Sequence, residues 1–190
     1  MNLNIPNVLT WLRIAAIPLF VAILYIDESW LTTSQANIIA TVIFVAAAIT
    51  DWFDGYLARK WNQTSAFGAF LDPVADKLMV AAALIVLVEL GRTDAIVALI
   101  IIGREITISA LREWMAQLGK QGRVAVSTVG KIKTTAQMVA VLLLLYREPL
   151  WFFPTLEVGL GLLVVAAALT LWSMLHYLAA AWSVLRYGEA

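Results

Sequence analysis

The sequence contains no cysteine and only one histidine, and charged residues make up just 14% of its 190 residues. The lack of cysteine excludes disulfide bonds and thiolate metal sites, and a lone His176 excludes any site that needs two histidines from one chain. Soluble domains usually carry about 25% charged residues. With 62% hydrophobic residues, the composition therefore indicates a membrane protein.

Apolar segments fill most of the chain, and about 20 apolar residues suffice to cross the roughly 30 Å of hydrocarbon in a bilayer. Six segments approach or exceed this length: 7–26, 36–58, 69–91, 94–117, 131–147 and 156–185. No repeat, linker or low-complexity tract separates them, so we predict a single domain over residues 1–190. The predicted fold is an all-α integral membrane protein with six transmembrane helices.

Lysine and arginine are distributed unequally between the two ends of these segments. The richer end holds Arg13, Arg59, Lys60, Lys77, Arg112, Lys120, Arg123, Lys131, Lys133 and Arg186. The poorer end holds Arg92 and Arg147, together with the aromatic residues Trp151, Phe152 and Phe153, which suit a headgroup layer. Because cytoplasmic loops are enriched in lysine and arginine, we predict that the N- and C-termini are cytoplasmic.

Four aspartates lie between the second and third apolar segments, at the end of one and the start of the next: Asp51, Asp54, Asp72 and Asp76. On helices, their i,i+3 and i,i+4 spacings would place each pair on one face. Carboxylates beside lipid-like sequence repel one another and are costly. Two divalent cations would offset this charge, and all-oxygen ligands favour Mg²⁺ or Mn²⁺. A solvated cytoplasmic loop is the alternative explanation.

Small and basic residues are interspersed with these aspartates. Gly55 and Gly68 would let a phosphate or another backbone approach closely, since glycine has no Cβ. Ala58 is also small, and the guanidinium of Arg59 can hold phosphate oxygens in a bidentate fork. The stretch therefore predicts a substrate that carries phosphate.

The pattern D-x2-D-G-x2-A-R-x8-G-x3-D-x3-D, from Asp51 to Asp76, resembles the signature of the CDP-alcohol phosphotransferase family. Residues 4–13, 104–116 and 129–138 are similar to the branch of that family whose acceptor is glycerol 3-phosphate. The resemblance implies transfer of the phosphatidyl group from CDP-diacylglycerol to glycerol 3-phosphate, with release of CMP. It also implies a homodimer in the bacterial inner membrane, with its active site facing the cytoplasm and no nucleic acid among its partners.

The family pattern further implies roles for individual residues. The implied ligands of two divalent ions are Asp51, Asp54, Asp72 and Asp76. Asp76 is also the implied general base, which takes the proton of the acceptor hydroxyl. The implied contacts to the CDP-lipid are Asp54, Gly55, Ala58, Arg59 and Gly68.

The phosphate of the acceptor requires a second basic site, for which we predict Arg104, Arg112, Lys131 and Lys133. Arg112 is preferred because it shares a helix face with Glu105. Lys131 is preferred because it shares a face with Thr134 and Thr135, whereas Lys133 and Gln137 are predicted to lie off that face. Snorkelling toward the interface or a structural ion pair is the alternative for each cation, Arg13 included.

Two other functions are compatible with parts of this pattern. A sister enzyme of the same family would use another acceptor, such as serine, inositol phosphate or phosphatidylglycerol. An ion-coupled membrane transporter would use the aspartates to bind cations. Transporter sites usually lie near the membrane midplane between repeated halves, and this sequence shows neither feature.

Overall fold

The computed structural model describes the backbone of residues 5–61, 66–119 and 128–187, and most of the side chains in these ranges. Its regular elements are six α-helices: α1 (Ile5–Leu24), α2 (Thr33–Trp61), α3 (Ala66–Glu89), α4 (Ala95–Gln117), α5 (Thr128–Tyr146) and α6 (Thr155–Tyr187). Each helix overlaps one of the predicted apolar segments, so the all-α prediction is confirmed. Among the described residues, Thr33–Asp51 and Thr155–Ala179 are long and apolar enough to cross a membrane.

The helices form one bundle, in which α1 packs on α2 and α3, and α5 packs on α6 and α2. Phe20 of α1 and Phe44 of α2 are both buried, with ring centroids 6.3 Å apart. Fully buried alanines, including Ala40, Ala83 and Ala140, belong to the same core cluster. Small side chains let helices approach closely, which is how membrane helices gain packing energy without a hydrophobic drive between them.

Close approach is most evident between α5 and α6. A Cβ placed on Gly159 of α6 would lie 3.0 Å from Cγ of Leu144 and 3.1 Å from Cβ of Leu143, both in α5. These distances are shorter than ordinary van der Waals contact, so a glycine is required for the observed separation of the two helices. Gly161 follows Gly159 by two residues in α6, and a Cβ placed on it would meet nothing within 4 Å.

The bundle has two ends, which are named after Arg92 and Asp51. The Arg92 end comprises the connections 25–32, 90–94 and 147–154, with the helix ends that they join. The Asp51 end comprises the second half of α2 and the first half of α3, with the parts of α1, α4 and α5 that face them. The acidic stretch lies at the Asp51 end.

Helices α2 and α3 extend further into the acidic stretch than the predicted apolar segments. Since α2 continues to Trp61 and α3 begins at Ala66, all four aspartates lie within helices, more than one turn from the nearest helix end. The predicted placement at helix termini is corrected accordingly. The charge of a helix macrodipole falls off within the last turn, so it contributes little to the electrostatics of these carboxylates.

Candidate active site

Asp51 forms an ion pair with Arg13, which lies 38 residues earlier in the sequence. The Arg13 Nη1 atom donates a hydrogen bond of 2.6 Å to Asp51 Oδ1, and the Arg13 side chain is 1% exposed against 40% for Asp51. Charge-assisted hydrogen bonds of this length are among the stronger ones in proteins. The pair fixes one oxygen of Asp51 toward α1 and leaves the half-exposed carboxylate accessible on its other side.

A cavity of about 420 Å³ lies beside this pair, between α2, α3, α4 and α5. Its lining side chains are Ala48, Asp51, Asp76, Lys77, Val80, Glu105, Thr134, Thr135, Gln137 and Met138. Asp76 is exposed, whereas Asp51 and Glu105 are half-buried. Charged and polar groups from four helices therefore meet in one space that is open to the outside of the bundle.

The first and last aspartates of the signature, Asp51 and Asp76, thus face the same cavity. Asp54 follows Asp51 by three residues on α2, and Asp72 precedes Asp76 by four on α3. The side chains of Asp54 and Asp72 lie outside the described residues. The other positions implied to contact the CDP-lipid also lie outside the described side chains: Gly55, Ala58, Arg59 and Gly68. The same is true of Lys131.

The donor set at the cavity is suited to a hard divalent cation. Carboxylate oxygens are the ligands that Mg²⁺ and Mn²⁺ prefer. No three histidine, aspartate or glutamate side chains converge into a metal-binding group within the described ranges. Asp51 and Asp76 would therefore need a further ligand, and Asp54 and Asp72 are the acidic residues nearest to them along the two helices.

A second charged cluster adjoins the cavity through Glu105. Its Oε1 atom accepts a 2.6 Å hydrogen bond from Arg104 Nη1 and lies 3.6 Å from Lys133 Nζ. The Lys133 side chain is 1% exposed, yet its ammonium makes no hydrogen bond within the described part of the chain. Two cations share one carboxylate here, which leaves one positive charge in excess beside the cavity.

Arg112, one of the two preferred acceptor residues, has a different environment. Its guanidinium carbon lies 5.7 Å from the centre of the Tyr177 ring, so it makes a cation–π contact that links α4 to α6. Arg112 is within electrostatic range of Lys133 but does not line the cavity. The structure thus brings Arg104 and Lys133 together around Glu105 and sets Arg112 against α6.

The polar face of α5 is broader than predicted. Thr134 and Thr135 line the cavity as a shared face requires, but Gln137 lines it as well, and Lys133 is buried beside Glu105. The prediction that Gln137 lies off the polar face is therefore wrong, whereas Lys133 does not line the cavity and lies buried beside Glu105. Four polar residues within the five positions 133–137 could have indicated this, because a helix that packs against several neighbours can bury polar side chains on more than one face.

Arg13 is the residue whose importance the sequence reasoning underestimated. It lies in the stretch N-I-P-N-V-L-T-W-L-R at 4–13, where the sequence indicates only a cation at the end rich in lysine and arginine. Its burial at 3% exposure, within a helix of otherwise apolar neighbours, is the stronger signal. A buried arginine requires a partner, and Asp51 provides a carboxylate for Arg13.

Known proteins resemble this chain over nearly its whole length. The enzyme named CDP-diacylglycerol–glycerol-3-phosphate 3-phosphatidyltransferase is 53% identical in Salmonella typhimurium and in Shigella flexneri, over 183 residues. The protein of that name from Escherichia coli strain K12 is 52% identical over 183 residues. In each case the match covers 95% of this chain and 96% of the relative. Residues 3–172 match the profile of the CDP-alcohol phosphatidyltransferases; this chain belongs to that family.

Proposed function

We propose that this protein transfers the phosphatidyl group of CDP-diacylglycerol to glycerol 3-phosphate, giving phosphatidylglycerophosphate and CMP. The observation that carries the proposal is the cavity lined by Asp51 and Asp76, the outer positions of the family signature. The relatives at 52–53% identity are named for the same reaction, which supports glycerol 3-phosphate as the acceptor.

We also propose that all six helices cross the bacterial inner membrane, with both termini and the Asp51 end on the cytoplasmic side. The excess of lysine and arginine at that end supports this orientation. Exposed Trp151 and Phe152 at the Arg92 end, 95% and 92% exposed, suit the opposite headgroup layer. The whole chain would form one domain and, by family resemblance, a homodimer.

Asp51, Asp54, Asp72 and Asp76 would hold two divalent ions, either Mg²⁺ or Mn²⁺. When bound, such ions offset the charge of a diphosphate and stabilise the leaving phosphate. Arg13 orients Asp51 by holding one of its oxygens, which leaves the other oxygen for a ligand. Asp54, Gly55, Ala58, Arg59 and Gly68 would surround the CDP group.

Asp76 is the proposed general base. The sn-1 hydroxyl oxygen of glycerol 3-phosphate attacks the phosphorus that carries the diacylglycerol, and a new P–O bond forms. Asp76 takes the proton of that hydroxyl, and the bond to CMP breaks so that CMP departs with the electron pair. The exposure of Asp76 toward the cavity makes it accessible to an acceptor, and positioned bases contribute about 10²–10⁴-fold to such steps.

The phosphate of the acceptor would bind beside Glu105. Arg104 is already bonded to Glu105 at 2.6 Å, whereas Lys133 lies at 3.6 Å and makes no hydrogen bond to the side chains that the structure describes. Among Arg104, Arg112 and Lys133, whose side chains are described, Lys133 is therefore the first choice for contact with phosphate, and Arg104 holds Glu105 in place. Arg112, over the ring of Tyr177, would act through the long-range field of the site.

The acceptor is tested with a panel of alcohols. Purified protein in detergent is supplied with labelled CDP-diacylglycerol and, separately, glycerol 3-phosphate, serine, inositol phosphate or phosphatidylglycerol. We expect product with glycerol 3-phosphate only, loss of activity with EDTA, and recovery with Mg²⁺ or Mn²⁺. Turnover with another acceptor and none with glycerol 3-phosphate would make the protein a sister enzyme, and metal-independent turnover would overturn the proposed ion site.

Two matched variants test the assignment of Lys133. Lys133→Gln should raise the KM for glycerol 3-phosphate at least tenfold, because a lost charge-assisted contact is worth about 1.5–3 kcal/mol. Arg112→Gln should raise it less, since the Arg112 guanidinium lies over the ring of Tyr177, whereas Lys133 lies 3.6 Å from Glu105 at the edge of the cavity. Steady-state kinetics with each substrate varied in turn provide the measurement. An equal or larger KM effect in Arg112→Gln would move the phosphate site toward α6.

A further inference from the structure

An apolar groove lies between α3 and α4, next to the cavity of the candidate active site. Its volume is about 100 Å³, and two charged residues, Lys77 and Glu105, border one end of it. The rest of its wall is aliphatic: Leu78, Val80 and Ala81 from α3, and Ile101, Ile102 and Ile106 from α4. None of the proposed chemical steps uses this α3–α4 groove.

The α3–α4 groove runs from the charged residues of the Asp51 end toward the middle of the bundle. The short connection 90–94 makes α3 and α4 antiparallel neighbours. Ala81 follows Lys77 by four residues and Ile101 precedes Glu105 by four, so both lie about 6 Å from the charged residues along the helix axes. In the proposed orientation, this direction leads from the cytoplasmic headgroup layer into the hydrocarbon of the bilayer.

The groove adjoins the cavity that contains Asp51 and Asp76. Lys77, Val80 and Glu105 line both spaces, so the two share part of one wall. A molecule whose phosphate lies beside Asp51 and Asp76 would therefore have the groove next to it, on the side that faces the hydrocarbon.

The groove is accessible from outside the bundle. Val80 and Ile101 form its floor and are 8% and 0% exposed, whereas Leu78 and Ile106 are 49% and 62% exposed at its edges. Ala81 is half-buried between them, and its short side chain leaves the space that a larger residue would fill. A ligand could thus enter from the surrounding lipid and contact the aliphatic wall directly.

The size and chemistry of the groove suit a hydrocarbon chain. Apolar cavities stay dry, and one of about 150 Å³ takes up the six carbons of benzene. By the same measure, about 100 Å³ has room for about four carbons of an extended chain. Such a chain would gain dispersion contacts with the packed side chains of two helices, which disordered lipid tails provide less well.

We propose that the α3–α4 groove holds the first carbons of one acyl chain of CDP-diacylglycerol. This inference rests on the proposed function, since it places the phosphate of that lipid in the adjoining cavity. The acyl chains and the phosphate are attached to the same glycerol, so a chain in the groove orients the phosphate toward Asp51 and Asp76. The rest of the chain passes between Leu78 and Ile106 into the bilayer.

A larger side chain at Ala81 tests the groove by filling it. Ala81→Phe should raise the KM for CDP-dipalmitoylglycerol at least about fivefold, which is the lower end of the cost of overfilling a packed apolar space. The KM for CDP-diacetylglycerol should stay within about twofold of normal, because two-carbon acyl groups end before the filled space. Unchanged turnover of this short substrate also shows that the variant is folded.

Ala82→Phe is the matched control. Ala82 is the next residue of α3 and is also half-buried, but it is rotated about 100° around the helix axis. It should leave the ratio of the two KM values at its normal value. An equal rise of that ratio in both alanine variants, or no rise in Ala81→Phe, would overturn the proposal.

Photolabelling of the unmodified protein tests the same contact without a substitution. CDP-diacylglycerol that carries a diazirine on the fourth carbon of its chains should label residues 77–81 and 101–106, as located by mass spectrometry. Excess CDP-dipalmitoylglycerol should prevent this labelling, and the same amount of phosphatidylcholine should not. Labelling elsewhere, or equal competition by both lipids, would mean that the groove holds bulk lipid only. A lack of turnover with either substrate in the unmodified protein would overturn the proposed function, whereas the labelled positions would still decide the place of the chain.

Discussion

Arg13 and Arg92 are both buried arginines, one at each end of the same bundle, and they have opposite kinds of partner. Arg13 pairs with the carboxylate of Asp51, beside a cavity of about 420 Å³ that contains further charges. Arg92 instead donates to two backbone carbonyls and to the amide oxygen of Asn37. The charged partner holds a carboxylate in place beside a cavity, whereas the neutral partners connect the end of α3 to α2 and α5. The sequence marks both positions in the same way, as one arginine near apolar residues.

The largest expected effect is that of replacing Asp76, which lines the same cavity as Asp51, the partner of Arg13. Asp76→Asn should lower turnover by about 10³-fold while CDP-lipid binding persists, because the amide cannot take a proton from the acceptor. Turnover and retention of labelled CDP-diacylglycerol are measured on the same preparation. Glu89→Gln is the matched control, since Glu89 is an exposed acid at the end of the same helix. Normal turnover in Asp76→Asn would remove Asp76 as the base.

The second prediction concerns Arg13 as a positioning residue. Arg13→Gln should lower activity by about 10–100-fold and raise the half-saturating Mg²⁺ concentration, as changes behind metal ligands usually do. Binding of Mn²⁺, followed by electron paramagnetic resonance without substrate, gives a readout that is independent of turnover. Arg13→Lys should restore part of both effects, because a lysine can still approach Asp51. If Mn²⁺ binding is unchanged in Arg13→Gln, the pair serves stability only.

The third prediction makes the contrast with Arg92 quantitative. Arg92→Gln removes donors from Leu144 O, Leu145 O and Asn37 Oδ1, and each buried acceptor left unpaired costs about 1–3 kcal/mol. The unfolding temperature should therefore fall further than in Arg13→Gln, while the half-saturating Mg²⁺ concentration stays at its normal value. Arg147→Gln, at an exposed arginine in the next connection, is the control. A shifted metal dependence would show that the two ends are coupled.

The smallest expected effect is at the contact of α5 with α6, close to the carbonyls held by Arg92. Alanine at Gly161 should stabilise the helix by up to about 1 kcal/mol, since its Cβ meets nothing within 4 Å. Alanine at Gly159 places a Cβ about 3.0 Å from Leu144 and 3.1 Å from Leu143, and the resulting overlap should cancel or reverse that gain. Thermal unfolding of the two variants side by side measures the difference, and equal midpoints would indicate that α5 shifts freely.

Much of the fold follows from local patterns in the sequence. The apolar segments predict α2 at 36–58 and α4 at 94–117, and these helices are observed at Thr33–Trp61 and Ala95–Gln117. Apolar runs bounded by polar residues are sufficient for this, because a backbone surrounded by apolar side chains must satisfy its hydrogen bonds within the helix. The ends of the acidic helices were less predictable, since polar residues continue the helix there.

The candidate site was predictable only where its residues are close in sequence. The spacing of Asp72 and Asp76, or of Asp51 and Asp54, fixes a shared helix face. The spacing predicts that Lys133 lies off the face of Thr134 and Thr135, but it does not predict that Lys133 lies buried 3.6 Å from Glu105. Its position depends on which side of α5 faces α4, and the periodicity of α5 alone does not specify that.

The sequence by itself determined the helical class, the number of helices, the family signature and the chemistry of its carboxylates, because all of these reside in composition and short spacings. The tertiary structure alone decided which distant residues meet: Arg13 with Asp51 across 38 positions, and Arg92 with Asn37 across 55. Both contacts arise from how helices pack and rotate against one another. Those arrangements depend on the packing of many side chains, such as Leu144 against Gly159, which has no Cβ. No single stretch of sequence encodes them.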